Sequence, residues 1–221
     1  MGLKVIITGS TGMVGEGIMH VCLNHPAVEK VLILNRRTAG VKHPKLTEIL
    51  HWDFTNLAPV ADQLTGYDAC YHCMGISSVG TEKDYYYQVT YMMSMELGKT
   101  LSRLNPEMVF CYVSGAGTDE TETSKLEWAR LKGRTENELA QLPFKKMYAY
   151  RPGFIKPIPG AKHAHSFYNY INWVFPFGKN LYPNGFNTME ELGLSMIKLT
   201  LQPADVKILR GKEISRFASL G

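Results

Sequence analysis

Cysteine is scarce in these 221 residues, and the four present build neither a disulfide scaffold nor a metal site. Cys70 and Cys73 form a lone Cys-x-x-Cys with no second pair or histidines at zinc spacing, and Cys22 and Cys111 fall in apolar stretches. All four read as core thiols in a reducing compartment. Long hydrophobic runs are missing too. The apolar stretch 5–7 is too short for a secretory h-region, and Ile6 stands where an N-myristoylation motif needs Ser or Thr. The aromatic run 167–177 is too short to span a bilayer and is interrupted by Asn169, Asn172 and Pro176. These absences set the expectation of a cytoplasmic protein without a membrane partner. Blocks of like charge are lacking as well. The 24 Lys and Arg against 20 Asp and Glu give a net +4 spread along the chain, with only pairs such as Arg36-Arg37 and Lys145-Lys146. That excludes a nucleic-acid footprint but leaves a local pair able to hold one phosphate.

What is present is ordinary globular usage, 45% hydrophobic and 20% charged, in a length that suits one α/β domain over residues 1–221. Short β-branched runs alternate with longer helical stretches, the pattern of βαβ units building a parallel sheet. Strands are expected at 4–8, 31–34, 48–52, 69–73, 109–113 and 147–150, with a last one within 206–217. Helices are expected at 14–24 and 85–104, the latter with Met92, Met93, Met95 and Leu97 as core contacts. Ser124-x-x-Glu127 and Thr188-x-x-Glu191 are capping-box patterns that would open helices running to 142 and 201. Between 154 and 187 the chain is rich in Pro, Gly and aromatics and should form loops. No internal repeat or low-complexity tract is present.

Gly9, Gly12 and Gly15 lie between the first strand and the first helix. Gly9 would permit a sharp turn, Gly12 would let the backbone approach a pyrophosphate, and Gly15 would let helix and strand pack closely. The intervening Ser10, Thr11, Met13 and Val14 would surround the same anion, which the free N–H groups of a helix N-terminus attract. A tight turn that needs glycine for itself is the plainer alternative. The second strand ends Asn35-Arg36-Arg37, without the carboxylate that binds the adenosine ribose in NAD enzymes. Arginine forks attract a 2′-phosphate, so NADP(H) is favoured over NAD(H); a solvated basic pair is the alternative.

With the glycine loop, Arg36-Arg37, Asp53-Phe54, Cys73-Met74-Gly75, Val113-Ser114 and Tyr150-Arg151-Pro152-Gly153 in order, the sequence resembles the short-chain dehydrogenase/reductase family. Within it the chain is similar to the atypical, NmrA- and epimerase-like branch, especially the Tat-interacting oxidoreductase-like proteins. The resemblance covers about the first 155 residues and fades beyond Phe154. It implies a doubly wound parallel (Rossmann) sheet with the dinucleotide across the carboxyl ends of the strands. It further implies that Asp53 and Phe54 flank the adenine, that Cys73, Met74 and Gly75 pass close to the riboses, and that Arg151, Pro152 and Gly153 border the nicotinamide.

The resemblance also implies a Tyr four residues before a Lys, and a Ser or Thr after the fifth strand, as proton donor, phenol activator and carbonyl polariser. Lys132 is kept, with a second role on the nicotinamide ribose, but Trp128 stands at the tyrosine position. An indole N–H can orient a carbonyl but has no proton to release at neutral pH. The hydroxyl candidate is Ser114, where relatives carry a Ser pair and this chain has Ser114-Gly115, with Thr118 behind it. Tyr112 should be core; Tyr85, Tyr86 and Tyr87 near the substrate side, or Tyr168 and Tyr170 in the aromatic loop, are looser alternatives for supplying the proton. His163 and His165 read as solvated. The segment 154–187 would cover the substrate pocket as an aromatic lid, seal the fold, or form a homodimer contact. Three functions follow: an NADP(H)-dependent oxidoreductase on a small carbonyl or alcohol, a non-catalytic NADP(H)-binding regulator or redox sensor with a protein partner, and, more weakly, a nucleotide-sugar epimerase.

Overall fold

The computed structural model describes residues 2–158 and 182–220. Seven parallel strands form the main sheet: β1 (Leu3–Thr8), β2 (Val28–Asn35), β3 (Leu46–Leu50), β4 (Ala69–His72), β5 (Val109–Val113), β6 (Lys146–Tyr150) and, past a small side sheet, the two-residue β9 (Ile208–Leu209). Their order is β3-β2-β1-β4-β5-β6-β9, so the chain winds outward from β1 in one direction and from β4 in the other. The side sheet pairs β7 (Phe154–Lys156) in parallel with β8 (Phe186–Thr188). Successive strand residues face opposite ways, and both faces are apolar. Val5, Ile7, Val31 and Ile33 join one core layer, under α1 (Met13–Asn24), α5 (Met189–Leu201) and α6 (Gly211–Ser219). Ile6, Leu32, Leu34 and Phe110 join the other, with α3 (Met93–Leu104) and α4 (Glu127–Leu139).

This is the single-domain, doubly wound parallel sheet that the alternating pattern predicts, with local departures. The helix expected from 85 starts earlier, as α2 (Lys83–Tyr87), and passes through a π turn over Gln88–Met92 into α3. Met93, Met95 and Leu97 are buried, whereas Met92, the last residue of the π turn, is 47% exposed. The Thr188 capping box forms, with Thr188 Oγ1 and the Glu191 side chain exchanging bonds with backbone N–H groups. The Ser124 box does not. Ser124 Oγ instead accepts the Leu126 N–H at 3.1 Å, and the Asp119 carboxylate takes the N–H groups of Thr121, Thr123 and Ser124, which delays α4 to Glu127. Those bonds, led by the Thr121 hydroxyl, hold Asp119 down to about 2. The last strand is also shorter than expected: pairing stops at Leu209, and Gly211–Ser219 is helix because Ile214, Phe217 and Ala218 bury at helical spacing.

One polar chain runs through the core. His72 is fully buried, with Nδ1 2.6 Å from the Thr8 hydroxyl and Nε2 2.9 Å from the Ser94 hydroxyl. Desolvation lowers its pKa to about 3. An unfolded histidine takes up its proton near pH 6.5, so between about 6.5 and 3 the unfolded state binds a proton that the folded state refuses. Stability should therefore fall by about 1.4 kcal/mol per pH unit on acidification through that window, with no contribution above it. Urea unfolding at pH 7 and pH 5 checks this, because His72→Phe should remove that part of the slope.

Candidate functional site

The loops at the carboxyl ends of β1 to β4 enclose a cavity of about 450 Å³. It is lined by Gly9, Thr11 and Gly12 after β1, by Leu34, Asn35, Arg36 and Arg37 at the end of β2, by Trp52 and Phe54 after β3, and by Cys73, Met74, Gly75 and Ile76 after β4. It therefore lies where the winding direction reverses, between β1 and β4, which is the place where open α/β sheets hold ligands.

The glycines separate what the fold needs from what a ligand would need. Gly9 has φ +73°, and a Cβ there would sit 2.7 Å from the Met74 nitrogen; a Cβ on Gly15 would overlap the Gly9 carbonyl. Those two are demanded by the protein itself. Gly12 is different: its φ of −110° suits any residue, and an added Cβ would meet only the Gly9 oxygen, at 3.5 Å. Gly75 likewise has nothing within 4 Å of a Cβ. Both face the cavity, so the room they leave serves no packing among the described residues. Gly12 is also the N-cap of α1 and gives it no side-chain cap, so the helix's first N–H groups are open to an anion.

At the adenosine end, Asn35 is buried and exchanges hydrogen bonds with Ser10. Glu48, on β3, accepts from Asn35 Nδ2 at 3.2 Å, Thr38 Oγ1 at 2.6 Å and the Ala39 N–H at 2.8 Å, which fixes the loop carrying the two arginines. Nothing local in the sequence distinguishes Glu48 from a surface carboxylate. Neither Arg36 nor Arg37 has a carboxylate within ion-pair distance among the described residues. Asp53 does not line the cavity: its carboxylate accepts the Thr55 hydroxyl at 2.5 Å and the Thr55 N–H at 2.9 Å, and the hydroxyl bond above all holds its pKa down. Its neighbours take that wall instead, Phe54 buried and Trp52 79% exposed. Cys73 is half-buried at the cavity, while Cys22, Cys70 and Cys111 are buried; desolvation pushes the thiols up.

The residues expected to do chemistry are arranged differently from the expectation. Ser114 is buried, and its hydroxyl donates to Glu136 and to the Tyr150 carbonyl, leaving no donor for a substrate. Thr118 is buried and bonds the Gly115 oxygen at 2.9 Å. The Lys132 ammonium donates to the Ser114 carbonyl at 2.5 Å; burial lowers its pKa and Glu136 opposes that. Trp128 is half-buried against the loop after β5, close enough that a Cβ on Gly117 would come within 2.8 Å of its ring. Tyr112 is core, as its mid-strand position predicts. Arg151 departs most. It is buried, with Nε 3.0 Å from Glu136, a second bond to the same carboxylate and Nη1 2.5 Å from Glu120, so it ties β6 to α4 and does not line the cavity. Pro152 is buried, with its carbonyl accepting the Ala116 N–H, and Gly153 lies against the Gly185 backbone. The aromatic lid, with His163, His165, Tyr168 and Tyr170, lies almost wholly outside the described residues.

Fold and cavity together define a Rossmann protein with an open cleft at the strand reversal, and the family match places it in the NAD(P)-binding, atypical short-chain dehydrogenase/reductase class. The chain belongs to the NAD dependent epimerase/dehydratase family, whose model matches residues 5–140. It is 29% identical over 162 residues, 69% of the chain, to the Aspergillus clavatus protein named "Protein fmp52, mitochondrial", and the match spans 66% of that relative's length. A UDP-N-acetylglucosamine 4-epimerase from Methanobrevibacter ruminantium superposes with a TM-score of 0.66 at 17% identity, over 97% of this chain and 80% of that one. A uronate dehydrogenase from Agrobacterium tumefaciens, a mutant complexed with NAD, gives 0.69 at 14% identity over 96% and 77%. The expectation of a cytoplasmic protein does not stand: the fungal relatives, from Aspergillus to Meyerozyma, are named as mitochondrial. Apolar h-regions and lipidation motifs screen only for secretion and membrane anchoring, and organellar addresses are amphipathic, so the scarcity of apolar runs never bore on this question. No helix among the described residues is long and apolar enough to cross a membrane.

Proposed function

We propose that the protein binds NADP(H) in the cavity at the carboxyl ends of β1 to β4 and acts as an oxidoreductase on a small carbonyl or alcohol compound. The observation that carries the nucleotide part is the pair Gly12 and Gly75, whose missing side chains leave room that no described protein atom uses. Gly9 to Gly15 would cradle the diphosphate, Arg36 and Arg37 would take the 2′-phosphate, and Trp52 and Phe54 would border the adenine. Cys73, Met74 and Gly75 would lie along the riboses. The bound nicotinamide supplies or accepts the hydride. Of the family's proton machinery, Lys132 would supply the cation, and because the indole of Trp128 has no proton to release the proton would come from a group other than residue 128. The setting that the relatives' name supports is mitochondrial.

A second reading, a nucleotide-dependent regulator that changes a protein contact, is favoured by the Ser114 hydroxyl being committed to Glu136 and by the indole of Trp128. A sugar-nucleotide epimerase meets the same obstacle, because that chemistry needs the same tyrosine. NADPH turnover over a carbonyl panel separates the readings. Under the oxidoreductase proposal, Lys132→Ala loses turnover, and Trp128→Tyr, which restores a phenol, raises it about tenfold to a hundredfold, the ordinary worth of a placed acid or less. No turnover in either protein, with NADPH still bound, supports the regulator instead.

A further inference from the structure

Tyr85 lies outside the sequence motifs and was expected near the substrate side, yet its side chain reaches the opposite end of the cleft. It stands on α2, the short helix after β4, and its hydroxyl accepts a hydrogen bond from Arg36 Nη1 at 3.0 Å across 49 residues of chain. Arg36 lines the cavity and makes no other hydrogen bond among the described residues, so one of its five donors is held by the phenol and the rest of the fork is available to an anion. The contact bridges the loop after β2 to α2, at the rim of the cavity that Arg36 lines. Tyr85 is itself well anchored at its backbone, with its N–H donated to the Glu82 carboxylate at 3.1 Å and the next residue, Tyr86, buried.

Resting on the nucleotide reading above, we propose that Tyr85 is a positioning residue for the adenosine 2′-phosphate: it orients the Arg36 guanidinium and thereby sets the preference for NADP(H) over NAD(H). A long arginine side chain at a loop end loses rotamer freedom when it binds, and a neutral hydroxyl partner removes part of that cost beforehand without competing charge for charge with phosphate. A carboxylate at position 85 would instead neutralise the fork. The phenol thus suits a ligand that brings its own negative charge.

The test uses the full chain, with adenosine 2′,5′-bisphosphate and AMP as probes, titrated by calorimetry and by the emission of Trp52 in the same cavity. Tyr85→Phe keeps the ring and removes the hydroxyl. The expected result is that affinity for the bisphosphate falls about tenfold, the worth of one hydrogen bond to a charged group, while AMP affinity and Tm stay at wild-type values. Tyr85→His, which can also accept from Arg36, should recover part of the loss. An unchanged ratio of the two affinities overturns the proposal, and so does tighter bisphosphate binding, which would make the phenol a competitor of the phosphate. Failure of the nucleotide reading looks different: the wild-type chain would bind neither probe.

Discussion

Gly12→Val should abolish most NADPH binding, by about a hundredfold or more, while Tm falls by only about 2–4 °C. The reasoning is steric and local. Position 12 has extended backbone that valine adopts without strain, and a Cβ there meets no described protein atom closer than the Gly9 oxygen at 3.5 Å. The cost to the fold is that of replacing a favoured N-cap residue, about 1 kcal/mol, which lowers Tm by only about 2–4 °C. The branched side chain would fill the space through which a diphosphate reaches the first N–H groups of α1. Losing two charge-assisted hydrogen bonds at about 1.5 kcal/mol each amounts to about 3 kcal/mol, or a hundredfold. Gly15→Ala gives the contrast, because its Cβ collides with the Gly9 carbonyl and destabilises the protein whether or not nucleotide is present. Differential scanning fluorimetry beside calorimetry reads both effects, and a large Tm loss in Gly12→Val would show that the fold, not a ligand, requires that glycine.

Arg151→Met should strongly destabilise the fold. It leaves the Glu136 carboxylate buried beside Ser114 with its guanidinium partner gone, a situation that costs about 3–5 kcal/mol in a total stability of about 5–15 kcal/mol. The penalty belongs to the abandoned charge. Arg151→Met combined with Glu136→Gln should therefore recover much of the loss, whereas Glu120→Gln, whose side chain is 43% exposed, should cost less. Chemical denaturation of the four proteins decides it. A role for Arg151 at the nicotinamide would instead appear as lost nucleotide affinity with unchanged stability.

The main chain of this fold was legible because both of its signals are local. A strand of five or six residues rich in β-branched side chains and a helix with an apolar face announce themselves within a dozen positions, and Gly9, Gly12 and Gly15 mark the junction between the first pair. The capping patterns show where such signals stop. Thr188-x-x-Glu191 and Ser124-x-x-Glu127 read alike, but only the first closes, because Asp119 gathers the backbone around Ser124 and no short motif encodes that competition. The site divides in the same way. Residues placed at the cavity by their position after a strand end, such as Arg36 and Gly75, are legible by counting from motifs. Residues whose side chains are claimed by distant partners are not: Ser114 and Arg151 are both taken by Glu136, and Asp53 by Thr55. Glu48 and His72 went unnoticed for the converse reason, since their partners, Thr38 with Ala39 and Thr8 with Ser94, come together only when the sheet is assembled.

Calorimetric titration of the full chain with NADPH and with NADH tests the central claim most directly. The account predicts one nucleotide per chain, with NADPH the tighter of the two and its heat lost in Gly12→Val. No heat from either nucleotide would contradict it, as would binding that Gly12→Val leaves intact.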